Sequence, residues 1–149
     1  MALPSRFIVR KVAVLGAGVM GAQIAAHLVN AGVEAILFEL PAKEGDPNGN
    51  VRKAIDGLKK LEPSPLSVVS RADHIQAANY DQGLELLKAC DIVIEAISER
   101  MDWKKALYEK IAPIWVRTRY SRAIPPGFPS IPYRRRCRRM RAPDRKSVV

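Results

Sequence analysis

Residues 11–32 run Lys-Val-Ala-Val-Leu-Gly-Ala-Gly-Val-Met-Gly-Ala-Gln-Ile-Ala-Ala-His-Leu-Val-Asn-Ala-Gly, and no other stretch constrains the fold as tightly. The apolar run Val12 to Leu15 suits a buried strand. Gly16, Gly18 and Gly21 then complete a G-x-G-x-x-G pattern. Met20, Ile24, Leu28 and Val29 recur at helical spacing, and Gly32 stops the helix. In a strand–turn–helix unit each glycine has a separate task. Gly16 permits a tight turn, Gly18 lets a phosphate approach a backbone without Cβ, and Gly21 lets the helix pack close to the strand. The first-turn amides, from Val19 to Ala22, lack intrahelical acceptors and carry the positive end of the helix dipole, which makes an anion site.

A glycine turn of this kind also occurs without a ligand, so the following strand matters. Val33 to Leu40 reads as a second strand carrying Glu39 at its tip, 18 residues past Gly21. A carboxylate there can accept hydrogen bonds from the hydroxyls of an adenosine ribose, and it repels a 2′-phosphate. The expected cofactor is therefore NAD rather than NADP. A solvated strand-end glutamate is the plainer alternative.

Further along, Pro41 to Asn50 is turn-rich, and Val51 to Leu61 reads as a helix with Val51, Ala54, Ile55 and Leu58 on one face. Lys53, Lys59 and Lys60 suit a solvated face. Residues 66–74 have no clear period. Ile75 to Ala78 suits a short third strand and Gln82 to Ala89 a short helix. Asp91 to Ile97 reads as a fourth, parallel core strand, and residues 101–111 as a helix with Trp103, Leu107 and Ile111 on its apolar face and an Asp102–Lys105 pair. The first strand is expected to begin at Phe7. Strands alternating with helices predict an α/β fold, a Rossmann-type doubly wound parallel sheet. His27 and His74 are far apart in sequence and suit structural or surface positions. No metal site is expected.

Composition divides the chain. Its net charge of +10 falls wholly on residues 114–149, because acidic and basic residues balance over residues 1–113. The expected organisation is an NAD-binding domain over 1–113 and a basic, irregular Arg/Pro-rich tail over 114–149, which leaves the C-terminal part of the sheet incomplete. An arginine run such as Arg134-Arg135-Arg136 can grip phosphates, but the tail has sparse aromatic interleaving, and Pro-rich disorder is expected rather than nucleic-acid binding. The N-terminus lacks an apolar signal core and no stretch has the length of a membrane span, so no membrane association and a cytoplasmic location are expected. Cys90, beside an apolar strand, suits a buried small hydrophobe.

Two motifs together carry a family resemblance. Val-Leu-Gly-Ala-Gly-Val-Met-Gly-Ala-Gln-Ile-Ala and Asp-Ile-Val-Ile-Glu-Ala-Ile-Ser-Glu-Arg-Met-Asp-Trp-Lys resemble the N-terminal NAD domain of 3-hydroxyacyl-CoA dehydrogenases over about residues 5–113. The loop Leu-Pro-Ala-Lys-Glu-Gly-Asp-Pro-Asn-Gly resembles the bacterial branch fused to enoyl-CoA hydratase modules. The resemblance implies hydride transfer from the 3-hydroxyl carbon of an acyl-CoA to NAD, within fatty-acid β-oxidation, by an enzyme that is a homodimer when full length. It implies that Gly16, Gly18, Val19, Met20 and Gly21 hold the pyrophosphate and Glu39 the adenosine ribose. Ala96 (through its backbone), Glu99 and Lys104 then lie toward the nicotinamide-side ribose and phosphate. The family's histidine–glutamate base and its Ser-Asn-Thr-Ser segment lie downstream of such a domain and are not found in this sequence, so this chain is expected to bind cofactor without turnover. Another NAD enzyme, such as a polyol-phosphate dehydrogenase, shares the first motif but not the second.

The tail suggests a reading-frame change. Written as degenerate codons and shifted by one base, residues from Ile114 onward admit Leu-Gly-Ala-Asp-Ala-Ile-Phe-Ala-Ser-Asn-Thr-Ser-Gly-Leu, the family's missing segment. Asp144 to Val149 back-translate into a sequence resembling a common sequencing adapter followed by a stop codon. The expectation is a base lost just after Pro113.

Overall fold

The computed structural model describes residues 8–98 and 100–115. Four parallel strands form the sheet: β1 (Lys11–Leu15), β2 (Glu34–Glu39), β3 (Ile75–Asn79) and β4 (Ile92–Glu95), in the order β3-β2-β1-β4. Among the described residues, three α-helices accompany them: α1 (Val19–Asn30), α2 (Gly49–Leu58) and α3 (Met101–Trp115). The chain steps outward from β1 through β2 to β3, then returns to the other side of β1 for β4. The strand order therefore reverses at β1, and in open parallel sheets the crevice at the carboxyl ends of such strands is where ligands bind.

Alternation along the strands sorts their side chains to two faces. Val14 and Leu37 pack with Ala25, Ala26, Val51 and Ile55 of α1 and α2. Ala13, Leu15, Ile36 and Phe38 pack on the other face with Leu87, Leu107 and Ile111. Helical elements thus cover both faces, as a doubly wound sheet requires. No helix among the described residues is long and apolar enough to cross a membrane.

Several expectations shift at element ends. β1 begins at Lys11, not Phe7, because its partners begin there: Lys11 is in register with Glu34, the first residue of β2, and Val12 with Ile92, the first of β4; Ile8 to Arg10 precede the strand, and Phe7 lies outside the described residues. β4 starts at Ile92, and Asp91 instead accepts hydrogen bonds from the amides of Arg10 (2.8 Å) and Lys11 (3.1 Å). The unassigned 66–74 stretch holds a 3₁₀ helix, Val69–His74, and the short helix before β4 is also 3₁₀, Leu84–Ala89. The buried face of α1 is Ala22, Ala25, Ala26 and Val29, while Met20 is exposed and Ile24 and Leu28 are half-buried at its flank. Small residues on that face bring the helix backbone close to the sheet. α2 spans Gly49–Leu58 rather than Val51 to Leu61; Val51, Ile55 and Leu58 are buried as expected and Ala54 is half-buried, while Lys53, and Lys59 and Lys60 just past the helix, are exposed. α3 runs through Pro113 to Trp115, and the rest of the basic tail lies outside the described residues. Cys90 is buried, and burial pushes its thiol pKa up to about 11.

Candidate functional site: a glycine turn beside a carboxylate

The turn after β1 is wedged between the ends of its two neighbours. The Gly16 amide donates to the Phe38 carbonyl at 2.8 Å, on the β2 side. Gly16 has φ +105°, and a Cβ there would lie 2.7 Å from the Ala96 carbonyl oxygen at the end of β4. Both the backbone conformation and the contact demand glycine. Gly21 is demanded by packing alone: a Cβ would lie 1.8 Å from the Gly16 carbonyl oxygen. The first turn of α1 therefore sits directly on the turn that precedes it.

Gly18 is different. It precedes α1 with φ −67° and ψ −177°, an extended conformation open to any residue, and a Cβ would meet nothing within 4 Å. Neither packing nor backbone strain requires glycine at this position, and the missing Cβ leaves open space beside the start of α1. The helix start has no side-chain cap and no acidic residue in its first turn. Among the described residues, the amides of Val19, Met20 and Gly21 have no hydrogen-bond acceptor. Ala22, expected among the free amides, instead donates to the Gly18 carbonyl at 2.9 Å. The side chains of Val19 and Met20 are largely exposed, so these residues can serve an anion only through their backbones.

Glu39 stands at the tip of β2, as its position in the sequence predicts. Its Oε2 accepts from the Ala17 amide at 2.8 Å and its Oε1 from the Leu40 amide at 2.9 Å. One carboxylate oxygen thus ties the glycine turn to β2 while the half-buried group borders a cleft of about 520 Å³. That volume is ordinary for a small-molecule or cofactor site. Gly16 and Gly18 line it on the turn side, Ala96 and Ile97 on the β4 side, and Trp103 and Lys110 on the α3 side.

The exit from β4 is held by a compact polar network. Glu95 Oε1 accepts from the Ile97 amide at 3.2 Å, and Oε2 accepts from the Tyr108 hydroxyl at 2.6 Å. Lys104 Nζ lies 3.4 Å from the same oxygen, with side chains 17% and 12% exposed for Lys104 and Glu95. Lys104 is therefore a sheltered cation committed to Glu95. Burial, followed by the hydrogen bond to Glu95, raises the Tyr108 pKa well above the usual phenol range, which keeps it a donor. Glu99 lies outside the described residues.

Three residues at the cleft escaped sequence reasoning or were misplaced by it. Trp103, expected on the apolar face of α3, is half-exposed at the cleft, while Leu107 and Ile111 are buried. In the first turn of α3, Met101 and Trp103 are exposed, and it is Leu107 and Ile111 in later turns that reach the core. Asp102 pairs with Arg100 at 2.9 Å rather than with Lys105. Lys110 borders the cleft and pairs with Asp81 at 2.8 Å; only its seven-residue spacing from Trp103 hinted that they share a helix face. Tyr80 is buried against Phe38, ring centroids 6.1 Å apart, and also borders the cleft. His27 and His74 are exposed and do not line it.

These groups suit a dinucleotide. Open backbone amides follow Gly18 at the start of α1, and Gly18 and the Glu39 carboxylate border the same largely apolar cleft.

Comparisons with known proteins agree on one family. The sequence profile of "3-hydroxyacyl-CoA dehydrogenase, NAD binding domain" matches residues 11–118. A Rickettsia felis protein named "Putative fatty acid oxidation complex trifunctional enzyme" is 42% identical over 106 residues, covering 70% of this chain and 15% of that one. A Deinococcus radiodurans protein named "Probable 3-hydroxyacyl-CoA dehydrogenase" is 37% identical over 123 residues, covering 81% of this chain and 35% of the other. Among solved structures, the 3-hydroxybutyryl-CoA dehydrogenase of Escherichia coli K12 superposes with a TM-score of 0.56 at 30% identity, covering 72% of this chain and 23% of that one. The chain thus spans well under half the length of these relatives. With its glycine turn, strand-tip carboxylate and switch-point cleft, the chain belongs to the 3-hydroxyacyl-CoA dehydrogenase family, as that family's NAD-binding domain.

Proposed function

We propose that this chain supplies the NAD site of an enzyme that oxidises the 3-hydroxyl group of an acyl-CoA in fatty-acid β-oxidation. The observation that carries the reading is Gly18. It is the one glycine of the motif that neither backbone strain nor packing requires, at a helix start with open amides. In this reading the backbone from Gly16 to Gly21, including Val19 and Met20, receives the pyrophosphate, where the helix dipole favours negative charge. Glu39 accepts from the adenosine ribose hydroxyls, and its charge disfavours a 2′-phosphate. The Ala96 backbone borders the nicotinamide-side ribose and phosphate, with Glu99 and Lys104 toward the same region. Lys104 serves there by holding Glu95, and through it the Ala96–Ile97 wall.

Bound NAD supplies the hydride acceptor. The chain's own residues bind and orient it. The histidines at 27 and 74, exposed and away from the cleft, hold no position from which to take the hydroxyl proton. This chain therefore binds cofactor and does not turn over. The substrate, a 3-hydroxyacyl-CoA, and the homodimeric state belong to the full-length enzyme, which we place in the cytoplasm with no nucleic-acid partner. Titration of the chain with NAD and NADP tests the reading: NAD should bind and NADP should bind more weakly. Equal affinity for both would remove Glu39 from the site.

A further inference from the structure

Trp103 is the conspicuous unexplained group. A half-exposed tryptophan at the mouth of a cleft forfeits burial worth having, since indole is among the largest apolar surfaces a chain carries. It is also not loose. The Arg100 guanidinium lies 4.4 Å from the ring centroid, and Asp102 grips that guanidinium at 2.9 Å and 3.4 Å. A carboxylate holds the edge of a guanidinium that in turn lies over an indole at the start of α3. The cation covers part of the ring while the ring still borders the cleft. Leu40, the residue after Glu39, is a second large apolar side chain that the same cleft leaves exposed.

We propose that Trp103, braced by Arg100, stacks on the adenine base of the bound dinucleotide, with Leu40 as a second apolar wall. The inference rests on the NAD reading of the cleft and adds a base-recognition residue to it. The set of groups supports it: the glycine turn for phosphate, a carboxylate for the ribose, and exposed apolar and aromatic surface border one cleft, and adenosine diphosphate carries a partner for each. An aromatic ring already held in place loses little rotamer freedom when a base stacks on it, so most of the stacking is available as affinity. Arg100 and Asp102 are positioning residues for the ring.

The test uses the full chain with Trp115→Phe, which leaves Trp103 as its only tryptophan, since the sequence has two. AMP should quench its fluorescence, and ribose 5-phosphate, which lacks the base, should not. Trp103→Ala should weaken NAD binding about 10-fold, the size of one base stacked on one aromatic ring, in a protein that still melts cooperatively. Trp103→Phe, which keeps a ring, should stay within about threefold of the parent. NAD binding to Trp103→Ala as tight as to the parent, or AMP leaving the emission unaltered, would overturn the stacking role while the NAD reading stands. Failure of the parent chain to bind NAD at all would overturn both.

Discussion

Alanine at each motif glycine should separate what the fold needs from what the ligand needs. At Gly16 the φ of +105° costs an L-residue about 1–2 kcal/mol, and a Cβ 2.7 Å from the Ala96 carbonyl adds overpacking of about 1–3 kcal/mol. At Gly21 the conformation is helical, but a Cβ 1.8 Å from the Gly16 carbonyl forces α1 off the turn, at a cost at or above the upper end of that overpacking range. At Gly18 the extended backbone accepts alanine and no atom lies within 4 Å of the new Cβ. The loss of glycine at a helix N-cap, about 0.5–1 kcal/mol, is offset by about 0.4–1 kcal/mol from a stiffer unfolded chain. Thermal melts with and without NAD read both quantities. Gly16→Ala and Gly21→Ala should lower Tm by roughly 10 °C or more, since 1 kcal/mol moves Tm about 4–8 °C in a domain of this size. Gly18→Ala should melt with the parent yet lose the NAD-induced rise, which for the parent corresponds to about 2.7 kcal/mol at a ligand concentration of 100 Kd. A Gly18→Ala protein that melts as low as the other two, or that keeps the full NAD rise, would refute the assignment of that space to the pyrophosphate.

Other outcomes follow from the same geometry. Glu39→Gln should keep a hydrogen bond from the Ala17 amide but narrow the preference for NAD over NADP, measured by calorimetric titration of both. Lys104→Met should strand the sheltered Glu95 charge and lower stability by about 1–3 kcal/mol in urea unfolding, and Tyr108→Phe by about 1.5–3 kcal/mol. In a Cys137→Ser chain, Cys90 should resist a thiol reagent until the protein unfolds. Its folded pKa of about 11 lies above its ordinary 9.0, so the native state keeps the proton longer and stability from this group should fall between pH 9 and pH 11, as chemical denaturation across that range would register. Incubated with a 3-hydroxyacyl-CoA and NAD, the chain should give no rise in NADH absorbance. Nucleotide sequence across codon 113 should show an open frame continuing in a different register, and an unbroken frame as written would end the frameshift reading.

What was legible in the sequence was whatever backbone geometry writes directly into residue identity. A positive φ needs glycine at 16, a carboxylate at a strand tip falls at a set distance from the turn, and a strand buried on both faces reads as an apolar run at 12–15. Helix faces were less legible. The period-3.6 pattern of α1 ran through Met20, Ile24 and Leu28, yet the buried stripe is alanine-rich, because close approach to the sheet favours small side chains over large ones. In α3 the pattern grouped Trp103 with Leu107 and Ile111, but periodicity locates a face and not the end of the sheet beneath it. The Glu95–Lys104–Tyr108 network was invisible for a related reason. It needs the register of α3 over the β4 exit, which only the tertiary structure supplies. Lys104 carried a cofactor-side expectation from family resemblance, and its neighbour Glu95 shows how a cation can serve a cleft by shaping its wall.

Residues 11–115 are expected to form a working NAD site, and isothermal titration of the full 149-residue chain with NAD tests this most directly. Saturable binding of about one NAD per chain, weaker with NADP and lost in Gly18→Ala, is the expected result. An absence of binding heat and of thermal stabilisation at millimolar NAD, from a chain that melts cooperatively, would contradict it.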